Sequence, residues 1–115
     1  MANKNSLITG ITDLLVLSIL NKADSYVYDI TKTIKSNSDE LLYISQNTIY
    51  TATYKLEELE MISEYSKLVG KKRTRVYYHI EPKGIEYLKE LLNNYQDMTI
   101  GVQKILESLG GSTHE

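Results

Sequence analysis

Cysteine is absent from the 115-residue sequence, and no apolar run is long enough to cross a membrane. Without cysteine there are no disulfide bonds and no thiolate metal sites, which suits a reducing cytoplasm. The most apolar stretch, residues 7–20, is interrupted by polar side chains and is shorter than the roughly 20 residues of a membrane span. The first residues carry a single positive charge, and no small-residue cleavage site follows, so we expect no secretory signal. These absences predict a soluble cytoplasmic protein.

Recognisable catalytic motifs are missing as well. The sequence has two histidines. His79 lies in a strand pattern and His114 in a polar tail, and neither has a partner in sequence that would make it a base or a metal ligand. No glycine-rich phosphate loop follows a strand, and no serine belongs to a nucleophile motif. We therefore predict no catalysis, no cofactor and no metal site.

The distribution of charge is more informative than its sum. The formal net charge of −2 speaks against a nucleic-acid partner, yet five of the thirteen Lys and Arg residues fall between Lys67 and Arg75, without an acid among them. Screening at physiological salt limits each charge to a range of roughly 8 Å, so this local cluster decides whether phosphate is attracted there. The cluster either binds phosphates or is a solvated turn that protects a hairpin edge from aggregation.

Residues 45–80 carry the pattern around which the chain is organised. Ser45 is a plausible N-cap for a helix over about residues 46–60, whose apolar positions recur at helical spacing. Two segments rich in β-branched and aromatic residues, 62–69 and 74–80, follow, with the basic loop 70–73 between them. We call the helix the recognition helix and the hairpin the wing, because this order is typical of a winged helix-turn-helix that binds DNA.

The exposed face of the predicted recognition helix carries side chains suited to base edges. Asparagine and glutamine can bond both edges of an adenine, threonine can contact a thymine methyl group, and lysine can reach guanine or phosphate. A tyrosine such as Tyr50 or Tyr54 either donates its hydroxyl to a phosphate or packs under the helix. The candidate DNA-binding residues are Gln46, Asn47, Thr48, Tyr50, Thr51 and Lys55 in the helix and Lys71, Lys72, Arg73 and Arg75 in the wing.

Three further segments precede the recognition helix. Asn5 or Ser6 can cap a first helix that runs to about residue 21 and is apolar on more than one side. A short second helix follows over about residues 26–35, and residues 36–40 form a loop by composition. Residues 41–44 are apolar and are either a brief strand or a buried connection.

A long helix is predicted from Pro82, which suits the first position of a helix. Seven residues at alternating spacings of three and four form an uncharged heptad seam: Leu88, Leu91, Tyr95, Met98, Val102, Ile105 and Leu109. The rest of the chain is too short to cover such a helix, so we expect the seam to pack against a second copy, the alternative being an amphipathic helix within one chain. The predicted fold is mainly α with a small β-hairpin: a winged helix-turn-helix DNA-binding domain over residues 1–80, a dimerisation helix over residues 81–109 and a flexible tail over residues 110–115.

Several of these segments together resemble the PadR family of transcriptional regulators. They are NTIYTATYKLEELEMI over residues 47–62, RVYYHI over residues 75–80, Gly84, and in part YVYDI over residues 26–30. The resemblance covers nearly the whole chain. It implies a winged-helix homodimer that represses transcription from a palindromic DNA operator.

The predicted single C-terminal helix resembles the small members of that family. Some of them bind planar hydrophobic drugs between their subunits and regulate multidrug efflux, which implies a possible effector for this chain. Tyr95 stands where those relatives place an aromatic residue against the ligand, with Met98, Leu92 and Leu14 as its expected neighbours. The competing interpretation is that Tyr95 only packs in the dimer interface.

The sequence also departs from the family pattern. Thr51 stands where many members have proline, which together with Asn47 suggests a distinct operator sequence. Glu60 stands where glycine commonly ends the recognition helix, so Glu60 must adopt a left-handed conformation or the helix must end differently. Acidic net charge leaves a second function class open, in which the winged helix is a dimeric protein-docking module that reads no DNA.

Overall fold

The computed structural model describes the main chain of residues 4–110 and the side chains of residues 11–110. Its helices are α1 (Lys4–Lys22), α2 (Val27–Asn37), α3 (Gln46–Glu58) and α4 (Pro82–Ser108), and its strands are β1 (Ile62–Val69) and β2 (Arg73–Ile80). This architecture confirms the predicted fold class, a winged helix followed by a long C-terminal helix.

Helix α1 is the centre of the fold, since it packs on the other three helices and on β2. Its buried side chains, among them Thr12, Val16 and Leu17, lie on more than one side of the helix, as predicted. The predicted cap at Asn5 or Ser6 is wrong, because the helix already begins at Lys4. The predicted apolar positions at residues 7 and 8 lie outside the described side chains. The core comprises Leu14, Val16, Leu17, Leu20, Val27, Ile30, Ile34, Ile44, Ile49, Ala52, Leu56, Ile62, Tyr78, Ile80 and Leu88.

Helix α3 is the predicted recognition helix, and its start is fixed locally. The Ser45 hydroxyl accepts a hydrogen bond of 3.2 Å from the Thr48 amide, which confirms Ser45 as the N-cap. The helix ends at Glu58, two residues before the predicted end, and Glu60 adopts the left-handed conformation with φ 62°. The amide of Met61 bonds the Leu56 carbonyl at 2.9 Å, which completes the turn that normally has glycine in the place of Glu60.

Strands β1 and β2 form an antiparallel hairpin in which Ile62 pairs with Ile80 and Val69 with Arg73. The free edge of β2 is extended by one residue from the loop before α2. Ser25 donates its amide to the Tyr78 carbonyl and accepts from the Tyr78 amide, at 3.3 and 2.8 Å. Residues 41–44, predicted as either a brief strand or a buried connection, are not in a strand. They form a connection in which Ile44 is buried.

Helix α4 begins at Pro82, as predicted, directly after β2. A Cβ on Gly84 would clash with the Met61 carbonyl oxygen, so this position requires glycine for the close approach of α4 to the turn between α3 and β1. The Glu81 side chain caps nothing and instead accepts a hydrogen bond of 2.6 Å from the Ser63 hydroxyl. Only the first two turns of α4 contain buried residues, Gly84 and Leu88, and the rest of the helix projects from the domain.

Candidate nucleic-acid interface

One face of α3 is buried and the other is exposed along its whole length. Ile49, Ala52 and Leu56 pack into the core. Gln46, Asn47, Tyr50, Thr51 and Lys55, all predicted to bind DNA, are exposed on the opposite side.

Three of the predicted contact residues in α3 use their polar groups within the protein. The Thr51 hydroxyl donates a hydrogen bond of 3.0 Å to the Asn47 carbonyl. The Thr48 hydroxyl lies 3.0 Å from the Ser45 hydroxyl and belongs to the helix cap. The Lys55 ammonium contacts Asp13 of α1 at 2.6 Å. The Lys55 side chain is 55% exposed and the Asp13 side chain 16%, and their ion pair ties the end of the recognition surface to α1. Gln46, Asn47 and Tyr50 therefore remain the most accessible of the predicted base or phosphate contacts.

The wing carries the cationic cluster at its tip. Gly70 makes the turn in the left-handed conformation, with φ 70°. Lys71, Lys72 and Arg73 follow it and are exposed. None of the three forms an ion pair with a carboxylate among residues 11–110. The tip thus presents three cations that are free to approach phosphate.

Arg75 differs from the tip residues, because an aromatic ring from the start of α2 lies against it. Its guanidinium carbon lies 4.0 Å from the centre of the Tyr26 ring, a cation–π contact. The Tyr26 ring meets Tyr77 edge-on at 5.3 Å, and Tyr77 stacks on Tyr65 at 5.7 Å. Lys67 lies over the Tyr77 ring at 5.1 Å. This row of rings fixes the position of Arg75 more tightly than a solvated arginine.

Beyond these rings, Asp24 ties the hairpin to the loop before α2. Its carboxylate accepts from the Tyr65 hydroxyl at 2.7 Å and lies 2.8 Å from His79 Nδ1. The hydrogen bond with His79 lowers the pKa of Asp24, and the same bond raises the pKa of His79. His79 and Asp24 therefore link β2 to the loop before α2.

An open notch of about 300 Å³ separates the wing from the N-terminal ends of α2 and α3. It is lined by Tyr26, Val27, Tyr28, Gln46, Tyr50, Arg73, Thr74, Arg75, Val76 and Tyr78. Four of these, Gln46, Tyr50, Arg73 and Arg75, were predicted to bind DNA, and the notch brings all four together. Tyr26 and Tyr28 were missed, because only the fold brings the start of α2 beside β2.

The distal part of α4 is a second candidate surface. Its apolar side chains are exposed, from 39% at Leu92 to 77% at Leu109. Between them lie Tyr95, Met98, Val102 and Ile105, which are 41–59% exposed, whereas Leu91 is half-buried. Leu88 and Leu14, predicted for the dimer seam and the ligand site, instead lie in the core of the protomer. The exposed seam consequently begins only after Leu88.

The described residues hold neither a metal-binding cluster nor a helix that could span a membrane. Between residues 11 and 110, no three acidic or histidine side chains come together as a metal ion would require. No helix in the described part of the chain is long and apolar enough to cross a membrane.

A polar, exposed helix beside a cationic hairpin defines a winged helix-turn-helix protein, a class that acts on nucleic acid. Comparison with known proteins refines this class. Residues 16–90 match the transcriptional regulator PadR-like family, and the chain belongs to that family.

Solved structures of related proteins agree with this membership. A transcriptional regulator from Clostridium thermocellum is 34% identical, with a TM-score of 0.80 over 90% of this chain and 97% of that one. The protein smu.1704 from Streptococcus mutans is 31% identical, with a TM-score of 0.75 over 93% of this chain and 94% of that one. PadR of Bacillus subtilis, solved in complex with operator DNA, is 24% identical and has a TM-score of 0.64 over 70% of this chain and 45% of that one. At that identity the last comparison speaks for the fold alone.

Proposed function

We propose that the chain is a dimeric, sequence-reading DNA-binding protein that represses transcription from a palindromic operator. The observation that carries the proposal is the notch, where the start of the exposed face of α3 meets the cationic wing. One element can enter the major groove while the other lies along the adjacent phosphates. The fold shared with Bacillus subtilis PadR, a protein solved with operator DNA, supports the same assignment.

The two elements have different roles in this proposal. Asn47, with Gln46 and Thr51 beside it, reads bases, since these side chains are exposed on α3 and offer donors, acceptors and a methyl group. Lys71, Lys72 and Arg73 contact phosphates at the wing tip. Specificity then depends on α3, and most of the salt-dependent affinity depends on the wing.

The test is fluorescence anisotropy of a labelled duplex from the DNA upstream of this protein's own gene, at several salt concentrations and with a scrambled competitor. Replacing both Lys72 and Arg73 by alanine should weaken binding to all duplexes and reduce the salt slope by roughly 0.9 per lost phosphate contact. Replacing Asn47 by alanine should instead reduce the preference for the specific duplex by about 1 to 3 kcal/mol. A wild-type protein that binds neither duplex at low salt would assign the wing to protein docking.

The dimer is proposed from the exposed seam of α4. A monomeric protein seldom exposes a contiguous apolar surface of this length, and the seam has the heptad spacing that pairs helices. Leu91, Tyr95, Met98, Val102, Ile105 and Leu109 are the residues assigned to this interface.

A planar hydrophobic effector is proposed for the centre of the same seam. Tyr95, Leu92 and Met98 are exposed there and offer an aromatic face and flexible apolar groups. Leu14 is left out of this site because it is buried in the core. Titration of an aromatic dye against wild type and Tyr95→Ala tests the site. Equal binding by both proteins would leave Tyr95 a packing residue of the dimer.

A further inference from the structure

We propose that the notch between the wing and α2 binds one backbone phosphate of the DNA, and that Tyr26 is a positioning residue that acts through Arg75. This inference rests on the DNA-binding function proposed above. It adds a defined subsite to that function, with Tyr28 as a further contact residue.

The charge of the notch points to an anion. Two arginines, Arg73 and Arg75, are among its ten lining residues, and no acidic residue is. In a protein of net charge −2, this is a local concentration of positive charge. Neither arginine pairs with a carboxylate among residues 11–110, so both keep their donors available.

Neutral donors complete the site. Tyr28 and Tyr50 line the notch and are 58% and 52% exposed, so their hydroxyls are accessible. The main chain of Tyr78 points away from β1 to bond Ser25, and in an antiparallel ladder alternate residues point to the same side. The amides of Val76 and Thr74 therefore also face this edge of β2. A tetrahedral phosphate is an occupant that matches several donors arriving from different directions.

The position of the notch favours a DNA phosphate over a free anion. It lies between α3 and the wing, which in a winged helix flank one DNA strand as it leaves the major groove. The volume of about 300 Å³ is open on the outside, so the site can accept a phosphate that remains part of a chain.

Tyr26 makes the site rigid. Its ring lies 4.0 Å from the Arg75 guanidinium and is itself held by Tyr77. A planar guanidinium that lies on a ring keeps its N–H groups in the plane, directed away from the ring, where they can bond phosphate oxygens. The Arg75 side chain then loses less conformational freedom on binding DNA than an arginine without such an aromatic contact.

Single-phosphate substitution tests the subsite. The duplex bound by the wild-type protein is prepared with one neutral methylphosphonate at each backbone position in turn, and affinities are measured for wild type and Tyr28→Phe. Tyr28→Phe should weaken binding to the normal duplex about tenfold without changing the salt slope, because a hydroxyl bond to a charged group is lost and no charge is removed. At one symmetry-related pair of positions, the methylphosphonate should weaken the wild type but weaken Tyr28→Phe much less.

The variant Tyr43→Phe is the matched control, since Tyr43 is equally accessible at 59% exposure but does not line the notch. It should bind the normal duplex as the wild type does. A methylphosphonate series that weakens wild type and Tyr28→Phe equally at every position would overturn the subsite, while leaving DNA binding itself established. A wild-type protein that binds no duplex would overturn both the subsite and the proposed function.

The role of Tyr26 is tested by a double-mutant cycle with Arg75. Tyr26→Leu should weaken binding severalfold in the wild-type background and have no further effect when Arg75 is replaced by glutamine. The salt slope of Arg75→Gln should fall by roughly 0.9 per half-site. An equal loss from Tyr26→Leu in both backgrounds would show that Tyr26 acts by another route, such as the stability of the domain.

Discussion

Replacing Glu60 by glycine should stabilise the protein. Glu60 follows α3 in the left-handed conformation, with φ 62°, a conformation that costs an ordinary L-residue about 1–2 kcal/mol. Glycine removes that cost but gives the unfolded chain more freedom, which returns about 0.4–1 kcal/mol. The difference between the midpoints of these two ranges gives a net gain in the free energy of unfolding of about 0.8 kcal/mol. The bonds of Glu60 and Met61 to carbonyls in the last turn of α3 are main-chain bonds and survive the substitution.

Glu58→Gly is the matched control, because it makes the same chemical change and removes the same charge two residues earlier. Glu58 is the last residue of α3 and is exposed, so glycine there should cost about 0.5–1 kcal/mol. Urea unfolding at one fixed protein concentration compares the three proteins, since the stability of the proposed dimer would depend on concentration. A Glu60→Gly protein no more stable than wild type would refute the assignment of strain to Glu60.

Three further predictions concern the close helix contact, the histidine and the seam. Gly84→Ala should lower the melting temperature markedly, since its Cβ would clash with a main-chain carbonyl oxygen, whereas Gly101→Ala meets nothing within 4 Å and should be neutral or stabilising. The pKa of His79 is raised in the folded protein, so protonated His79 stabilises the fold fully below about pH 6.5, and this contribution disappears as the pH rises through the pKa of the folded state. The free energies of unfolding of wild type and His79→Gln should therefore differ at pH 6 and converge by pH 9. A difference that stays constant with pH would contradict this. Ile105→Glu should shift sedimentation towards the monomer because Ile105 lies in the seam, whereas Gln103→Glu, outside the seam, should not. An Ile105→Glu protein that dimerises with unchanged affinity would place the interface elsewhere.

The parts of the fold that were predictable from sequence are those with local causes. Ser45 caps a helix through a bond to an amide three residues later, and Pro82 starts one by its own geometry. The hairpin follows from two segments rich in β-branched and aromatic residues on either side of the loop at Gly70. Glu60 was only partly predictable. Because it replaces the glycine of the family, either Glu60 is left-handed or the helix ends differently, and the main-chain conformation shows that Glu60 is left-handed.

The remaining features depend on contacts between residues far apart in the chain. Ser25 occupies the sheet edge beside Tyr78, and Lys55 reaches Asp13 across 42 positions. Leu88 has the heptad spacing of the seam but falls where α4 still packs on the core, so periodicity alone assigned it to the wrong surface. No sequence pattern predicts the contact between Arg75 and Tyr26 either, and both residues line the notch.

Hydroxyl-radical footprinting of the upstream DNA tests the central claim most directly, because it reports DNA reading and dimer symmetry in one experiment. Two protected half-sites should be related by a twofold axis, with centres separated by about one helical turn, 10–10.5 base pairs, or a multiple of it. Protection should weaken at all positions when Lys72 and Arg73 are replaced by alanine. Uniform cleavage along the fragment at concentrations that saturate a sequence-reading dimer would contradict the account.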